Sequence, residues 1–415
     1  MEGEHQALAA SEGLGRRTMQ FNILSRQGLP LFSTFFFWSV GMGAMHLARP
    51  LFAASFGVPV FLVTFIFASN ALARLISGPV TGFLVDRWGR KPLLLAGVTL
   101  RTVTALGSYF SDSYVEFLIW EFIGGFGVSI WNTGSQVLIA DVTEVENRGR
   151  AVAVRSMSVR LGNIAGPFVG SLLTLISDIR SIFLFNVVTK LMVLAITYTL
   201  IKETRPEASR PKKGETGAPS EKLDISIFKT RGFLVISFAT FALGMMTQGV
   251  FSALFPLYVK DTANFDAADI GYMITLASVV IFLVSYPNGI LVDRYGRRKT
   301  LIPGLVVLGL SGYLLAQSVD AAGIYLMVVI YGIGAGMTTG TSQVYAMDLA
   351  PANRRGAFLG IWAAFNHLSS VLAPLLLGLL AEVMGLPGTF VIASILLAIG
   401  AVFTWFYGPE TLTKT

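Results

Sequence analysis

The sequence predicts an all-α membrane protein of twelve transmembrane helices arranged as two pseudo-symmetric six-helix bundles. Three observations predict it. Of the 415 residues, 53% are apolar and 13% charged, whereas a soluble domain carries about 25% charged residues. A hydrocarbon core of roughly 30 Å needs about 20 apolar residues in a helix, and twelve such runs are present. Finally, Gly82-Phe-Leu-Val-Asp-Arg-Trp-Gly-Arg-Lys91 returns as Gly289-Ile-Leu-Val-Asp-Arg-Tyr-Gly-Arg-Arg298, 207 residues later. The offset persists without a gap. Ser135-Gln136 matches Ser342-Gln343, Asp141 matches Asp348, Pro167 matches Pro374, and Glu203-Thr204 matches Glu410-Thr411. A match over about half of the chain marks a duplicated membrane unit.

The elements follow in order. Residues 1–27 are polar and are expected to form a cytoplasmic N-terminal tail, not a cleavable leader. The first bundle covers 28–201, with apolar runs at 29–51, 58–81, 92–111, 115–139, 150–176 and 182–201. Residues 202–231 are rich in Lys, Arg, Glu, Pro and Gly and read as a cytoplasmic linker. The second bundle covers 232–407, with runs at 232–257, 268–288, 300–318, 322–346, 356–381 and 388–407. Residues 408–415 are a short cytoplasmic C-terminal tail.

Basic residues in short loops set the orientation. Arg87, Arg90, Lys91, Arg148, Arg150, Arg294, Arg297, Arg298, Lys299, Arg354 and Arg355 all fall on one side, with the linker lysines. That side is expected to be cytoplasmic, in a cell membrane, with both termini there. The same placement accounts for the net charge of +7 without a nucleic-acid partner.

Composition and motifs exclude several functions. Without cysteine there is no thiolate catalysis, no disulfide framework and no cysteine metal site. The three histidines show no paired His/Asp spacing, and no Gly-x-x-x-x-Gly-Lys-[Ser/Thr] phosphate loop occurs. An enzyme, a primary pump, a metal site and a bound cofactor are therefore not expected.

The duplicated decapeptide carries a physical logic of its own. Gly89 and Gly296 permit a tight turn. The arginines reach for carboxylates at neighbouring helix ends, and Asp141 and Asp348 lie at suitable depth. Two full copies, each between the second and third runs of its half, resemble the signature loop of the major facilitator superfamily of secondary transporters. The resemblance covers nearly the whole chain. It implies a monomer working by alternating access. It also implies cytoplasmic latches of Asp86, Arg90 and Asp141 and of Asp293, Arg297 and Asp348, which hold the outward-open state and break as the halves rock. Asp86 is also placed against the start of helix 11 near Gly356.

A second motif lies in the fifth run. Gly162, Gly166, Pro167 and Gly170 are spaced for close helix approach and a bend. With Ser171 replacing a final Gly, the stretch resembles the Gly-x-x-x-Gly-Pro-x-x-Gly-Gly pattern of proton-coupled antiporters, including drug exporters. A third stretch departs from that group. Where drug antiporters carry an Arg before Gly-x-Gly, this chain has Glu121-Phe-Ile-Gly-Gly-Phe-Gly127. Coupling through protons is then absent in its usual form or rewired through a carboxylate.

Ionisable groups at membrane depth are functional candidates. Glu121 is roughly 9 Å and Arg160 roughly 14 Å from a helix end at 1.5 Å per residue. Glu121 reads either as the proton-coupling carboxylate or as a buried partner for Arg101 or Arg74. Arg101 and Lys190 fall on helices that the resemblance places outside the cavity, so pairing within the bundle or snorkelling is expected of them. The cavity-facing helices of the family put His46, Arg49, Asn132, Arg160, Asn163, Gln248, Asn366 and His367 at the substrate. Deep charge totals four basic groups and one acidic group. The expected function is proton-coupled export of a hydrophobic or amphipathic small molecule. The alternative is proton-coupled or exchange transport of an organic anion.

Overall fold

The computed structural model describes residues 28–143, 145–204, 230–351 and 355–412. The expected N-terminal tail, nearly all of the linker and the last three residues lie outside these. The side chains of Asp86, of 145–148 and of 355–357 also lie outside them.

The first half runs α1 (Gly28–Ala54), α2 (Val60–Trp88), α3 (Arg90–Tyr109), α4 (Tyr114–Val142), α5 (Val145–Ile176) and α6 (Ser181–Leu200). The second runs α7 (Arg231–Ala263), α8 (Ala267–Tyr295), α9 (Arg297–Gln317) and α10 (Ala321–Leu349). A last helical stretch, Arg355–Tyr407, breaks at Gly385, where φ is 75°, into α11 (355–384) and α12 (386–407). Among the described residues there is no strand. Among the described residues ten helices are long and apolar enough to cross a membrane, counting α11 and α12 as one; α3, which carries Arg90, Lys91 and Arg101, is not among them.

Most helices outrun their apolar sequences at the ends bearing the duplicated loops, hereafter the signature-loop face. α2 continues to Trp88 and α8 to Tyr295 because their polar last turns clear the hydrocarbon. Gly89 and Gly296, at φ 96° and 101°, turn the chain directly into α3 and α9. On the opposite face Ser113 and Asp266 cap α4 and α8, accepting from the amides of Glu116 at 3.3 Å and Asp269 at 2.8 Å. One irregularity was not legible in the periodicity: α7 widens into a π-helical segment over Met245–Leu254, a feature often found at functional positions.

Lipid offers no hydrophobic drive between helices, so small residues set their approach. A Cβ at Gly166 would overlap the Val40 carbonyl of α1, and one at Gly125 the Asn70 carbonyl of α2. Stacked Trp38 and Trp131, with ring centroids 4.7 Å apart, join α1 to α4.

The halves meet along two seams, α2 with α11 and α5 with α8. Near the opposite face both seams are tight. The Phe61 amide donates to Glu382 Oε1 at 3.0 Å, Gly378 abuts Thr64, and Gly271 abuts Ser171. A single core cluster there runs from Phe52 and Phe183 of the first half to Ile270 and Phe390 of the second. Toward the signature-loop face the picture changes. Gln136, Ser156, Gln343, Asn366 and His367 are exposed although they lie within spans. Polar side chains at that depth are tolerated where they line water, so a cleft opens between the halves on that face.

Candidate functional site

The floor of the cleft is a cavity of about 170 Å³. The first half supplies His46, Asn163 and Pro167; the second supplies Thr247, Gln248, Phe251 and Ser252 from α7, Ile274 and Ser278 from α8, and Tyr331 from α10. The π-helical segment brings Thr247, Gln248, Phe251 and Ser252 to the cavity and is held by the Ser252 hydroxyl donating to the Thr247 carbonyl at 2.8 Å. Phe251 stacks on Tyr331 with centroids 3.8 Å apart and planes within 8°, and Phe255 extends the stack. The cavity is thus an aromatic wall opposite a rim of amides, hydroxyls and an imidazole. It suits a flat apolar body with a few polar groups.

Beside it, inside the first half, lies a buried charge cluster. Glu121 is fully buried on α4. Its Oε2 lies 2.9 Å from Arg49 Nε of α1, and its Oε1 lies 3.3 Å from Arg101 Nη2 of α3. Asn70 of α2 donates through Nδ2 to the Glu121 carbonyl at 2.7 Å. Four helices therefore converge on one carboxylate. Gly124 makes room: a Cβ there would overlap the Arg101 guanidinium. Arg74 is within electrostatic range of Glu121, Arg49 and Arg101 without a direct ion pair. Lys190 of α6, also fully buried, donates to the Trp38 carbonyl at 2.9 Å and sits 4.4 Å from the centre of that indole ring.

The substrate candidates from the sequence separate in space. His46, Asn163 and Gln248 line the cavity. Arg160 reaches across the α5–α8 seam and donates to Ser285 Oγ at 2.6 Å. Asn366 and His367 face the cleft from α11, and Asn132 is half-buried on α4 away from the cavity. Arg49 is not at the cavity but turned onto Glu121, because an unpaired carboxylate at that depth outweighs solvation of the guanidinium in the cleft. Thr247 and Phe251 share the helical stripe of Gln248 in the seventh run and reach the cavity with it, whereas Ser252, Ile274, Ser278 and Tyr331 were missed.

The signature loops form a symmetric pair. Arg90 Nε is 2.6 Å from Asp141 Oδ2, and Arg297 Nε is 2.7 Å from Asp348 Oδ2. Each pair joins two helices of one half, so neither spans the cleft, and both are formed while the cleft is open on their face. Among the described residues, Asp293 is exposed and in none of the ion pairs. The inter-half arm expected from Asp86 to Gly356 lies outside the described side chains. Sequence reasoning left two carboxylates without a role. Glu203 accepts from the amides of Arg90 and Lys91, each at 3.0 Å, and Glu410 from the amide of Arg297 at 3.0 Å. Their signal was the repeated Glu-Thr pair, whose threonines donate to Asp141 at 3.1 Å and to Asp348 at 3.2 Å.

The profile of the Major Facilitator Superfamily matches residues 31–268 and 238–415. Multidrug resistance protein 1 of Bacillus subtilis is 26% identical over 381 residues, covering 90% of this chain and 94% of that protein. Quinolone resistance protein NorA of Staphylococcus aureus is 23% identical over 369 residues, covering 87% and 91%. The crystal structure of a D-xylose-proton symporter superposes with a TM-score of 0.74 at 20% identity, covering 93% of this chain and 99% of that one; that likeness bears on the fold alone.

Proposed function

Because the chain belongs to the major facilitator superfamily, and is a multi-span membrane transporter of that family, we propose that it exports an amphipathic or hydrophobic small molecule by alternating access, driven by protons. The observation that carries this reading is the cavity itself: a Phe251–Tyr331 aromatic wall facing His46, Asn163 and Gln248 at the junction of the two halves. The multidrug and quinolone resistance proteins among its relatives, together with a multi-drug resistance efflux pump of Streptococcus pneumoniae, support export.

The signature-loop face is cytoplasmic in this reading, since the basic loop residues lie there. The conformation is then inward-open: seams closed outside, cleft open inside. Export begins with capture at the cavity, and the halves rock about the seams to close the cytoplasmic cleft. Glu121 supplies the coupling. Protonating its carboxylate removes the charge that holds Arg49, which lies on α1 one turn from His46 at the cavity. The proton state of a buried carboxylate is thereby passed to the substrate site through one side chain. The signature-loop ion pairs serve as rigid corners of each half.

Cells expressing the protein are expected to hold less of an amphipathic fluorescent dye than cells carrying Gln248→Ala together with Phe251→Ala. Equal dye content in the two, at equal expression, contradicts the cavity assignment.

A further inference from the structure

The open cleft carries positive charge at both seams, and among the described residues no carboxylate forms an ion pair with it. On α2, Ala71 packs against Val371 of α11. One turn closer to the cytoplasmic face, Arg74 and His367 extend from the same two helices. Arg74 is within electrostatic range of His367 and of the cavity residue His46. Arg74 of α2, whose Nε is buried without a hydrogen-bond partner, thus acts on two imidazoles, His367 of α11 and His46 of α1, the latter on the cavity wall. On the other seam Arg160 crosses to α8 and meets the neutral Ser285, one turn from the cavity residue Asn163.

Both arginines come from the first half, and both face uncharged or imidazole partners in the second. Neither joins an ion pair among the described residues. Glu121, the one carboxylate at this depth among them, is occupied by Arg49 and Arg101. A guanidinium at mid-membrane is costly to leave unpaired, and a cleft with low-dielectric walls focuses its field on whatever enters.

We propose that the transported compound is an amphipathic organic anion, with its carboxylate or sulfonate held by Arg74 between His46 and His367 and its apolar ring against Phe251 and Tyr331. This rests on the exporter reading above and narrows its substrate class. Arg160 adds to the attraction from the far wall. The arrangement also restrains slippage: closing an empty cleft buries Arg74 unpaired, whereas closing it on an anion buries a neutral pair.

The test uses protein in nanodiscs and equilibrium dialysis with three probes of one shape: 2-naphthylacetate, 2-naphthylacetamide and 2-(2-naphthyl)ethylammonium. The carboxylate is expected to bind at least tenfold more tightly than the ammonium. Arg74→Gln is expected to weaken carboxylate binding about tenfold while leaving the amide within about twofold, and Arg74→Lys to restore most of the loss. Arg160→Gln is expected to weaken carboxylate binding about threefold. Failure of the carboxylate to bind more tightly than the ammonium overturns the inference, and that wild-type comparison stands whether or not Arg74→Gln folds. Carboxylate binding unchanged in both Gln variants overturns it as well. Carboxylate-selective binding without net flux in proteoliposomes leaves the anion site standing and overturns the exporter reading instead.

Discussion

Arg49 Nε lies 2.9 Å from Glu121 Oε2, in a pair whose side chains are 8% and 0% exposed. The contact ties α1, which reaches the cavity at His46, to α4, which does not contribute to it. Arg101 holds the other carboxylate oxygen from α3. Removing the carboxylate leaves two guanidiniums buried against each other. Glu121→Ala is therefore expected to destabilise the protein by about 3–5 kcal/mol, read as a lower unfolding temperature in detergent. A melting temperature equal to wild type would mean that the pair contributes nothing net.

Gly166 allows α5 to lie directly on α1. An added Cβ would meet the Val40 carbonyl and the Ala44 amide, and backbone has little freedom to yield. Gly166→Ala is expected to cost about 1–3 kcal/mol and to reduce transport in proportion to folded protein. Normal thermal stability with transport lost would give this glycine a role in motion instead of packing.

Glu203 and Glu410 cap the first turns of α3 and α9, Glu203 through the amides of Arg90 and Lys91 and Glu410 through the amide of Arg297. Each Glu→Ala change is expected to cost about 0.5–2 kcal/mol, the usual cost of losing a capping side chain. The loss is expected to be the larger at Glu203, which accepts from two amides of its helix where Glu410 accepts from one. Equal losses, measured by chemical unfolding of the two variants, would show that the second amide contact of Glu203 contributes nothing net.

Ser171 and Gly271 touch across the closed end of the α5–α8 seam. The chain has no cysteine of its own, so a double Ser171→Cys, Gly271→Cys variant reports on that contact alone. Oxidation is expected to arrest transport at least tenfold, and reductant to restore it. Transport that continues at full rate with the bridge formed would show that this seam does not open during the cycle.

Much of this was legible in the sequence because the bilayer imposes length and polarity on every span. The twelve runs, the duplication and the glycine turns at Gly89 and Gly296 all follow from that constraint. So does the pairing of Arg90 with Asp141, since an arginine and a carboxylate at the same depth on neighbouring helices have few other partners. The destination of Arg49 was not legible. Its stripe on α1 includes His46, which lines the cavity, yet one further turn rotates Arg49 toward α4. A helical repeat tells which residues share a face but not where along the face one neighbour gives way to another. The π-helical segment of α7 was hidden for a related reason: Met245–Leu254 keeps an apolar composition while its hydrogen-bond register changes. Asn70 went unnoticed because its contact is to the Glu121 backbone as well as to the side chain.

The most direct test of the account is pH-gradient-driven uptake in proteoliposomes with an acidic lumen, comparing wild type with Glu121→Gln and correcting for protein-free liposomes. Wild type is expected to accumulate an amphipathic dye against its gradient as protons leave, and to lose that accumulation when a protonophore is added. Glu121→Gln is expected to show no gradient-driven accumulation while retaining dye exchange at zero pH difference. Accumulation by Glu121→Gln at the wild-type rate would contradict the account and leave Glu121 as a structural counter-charge for Arg49 and Arg101.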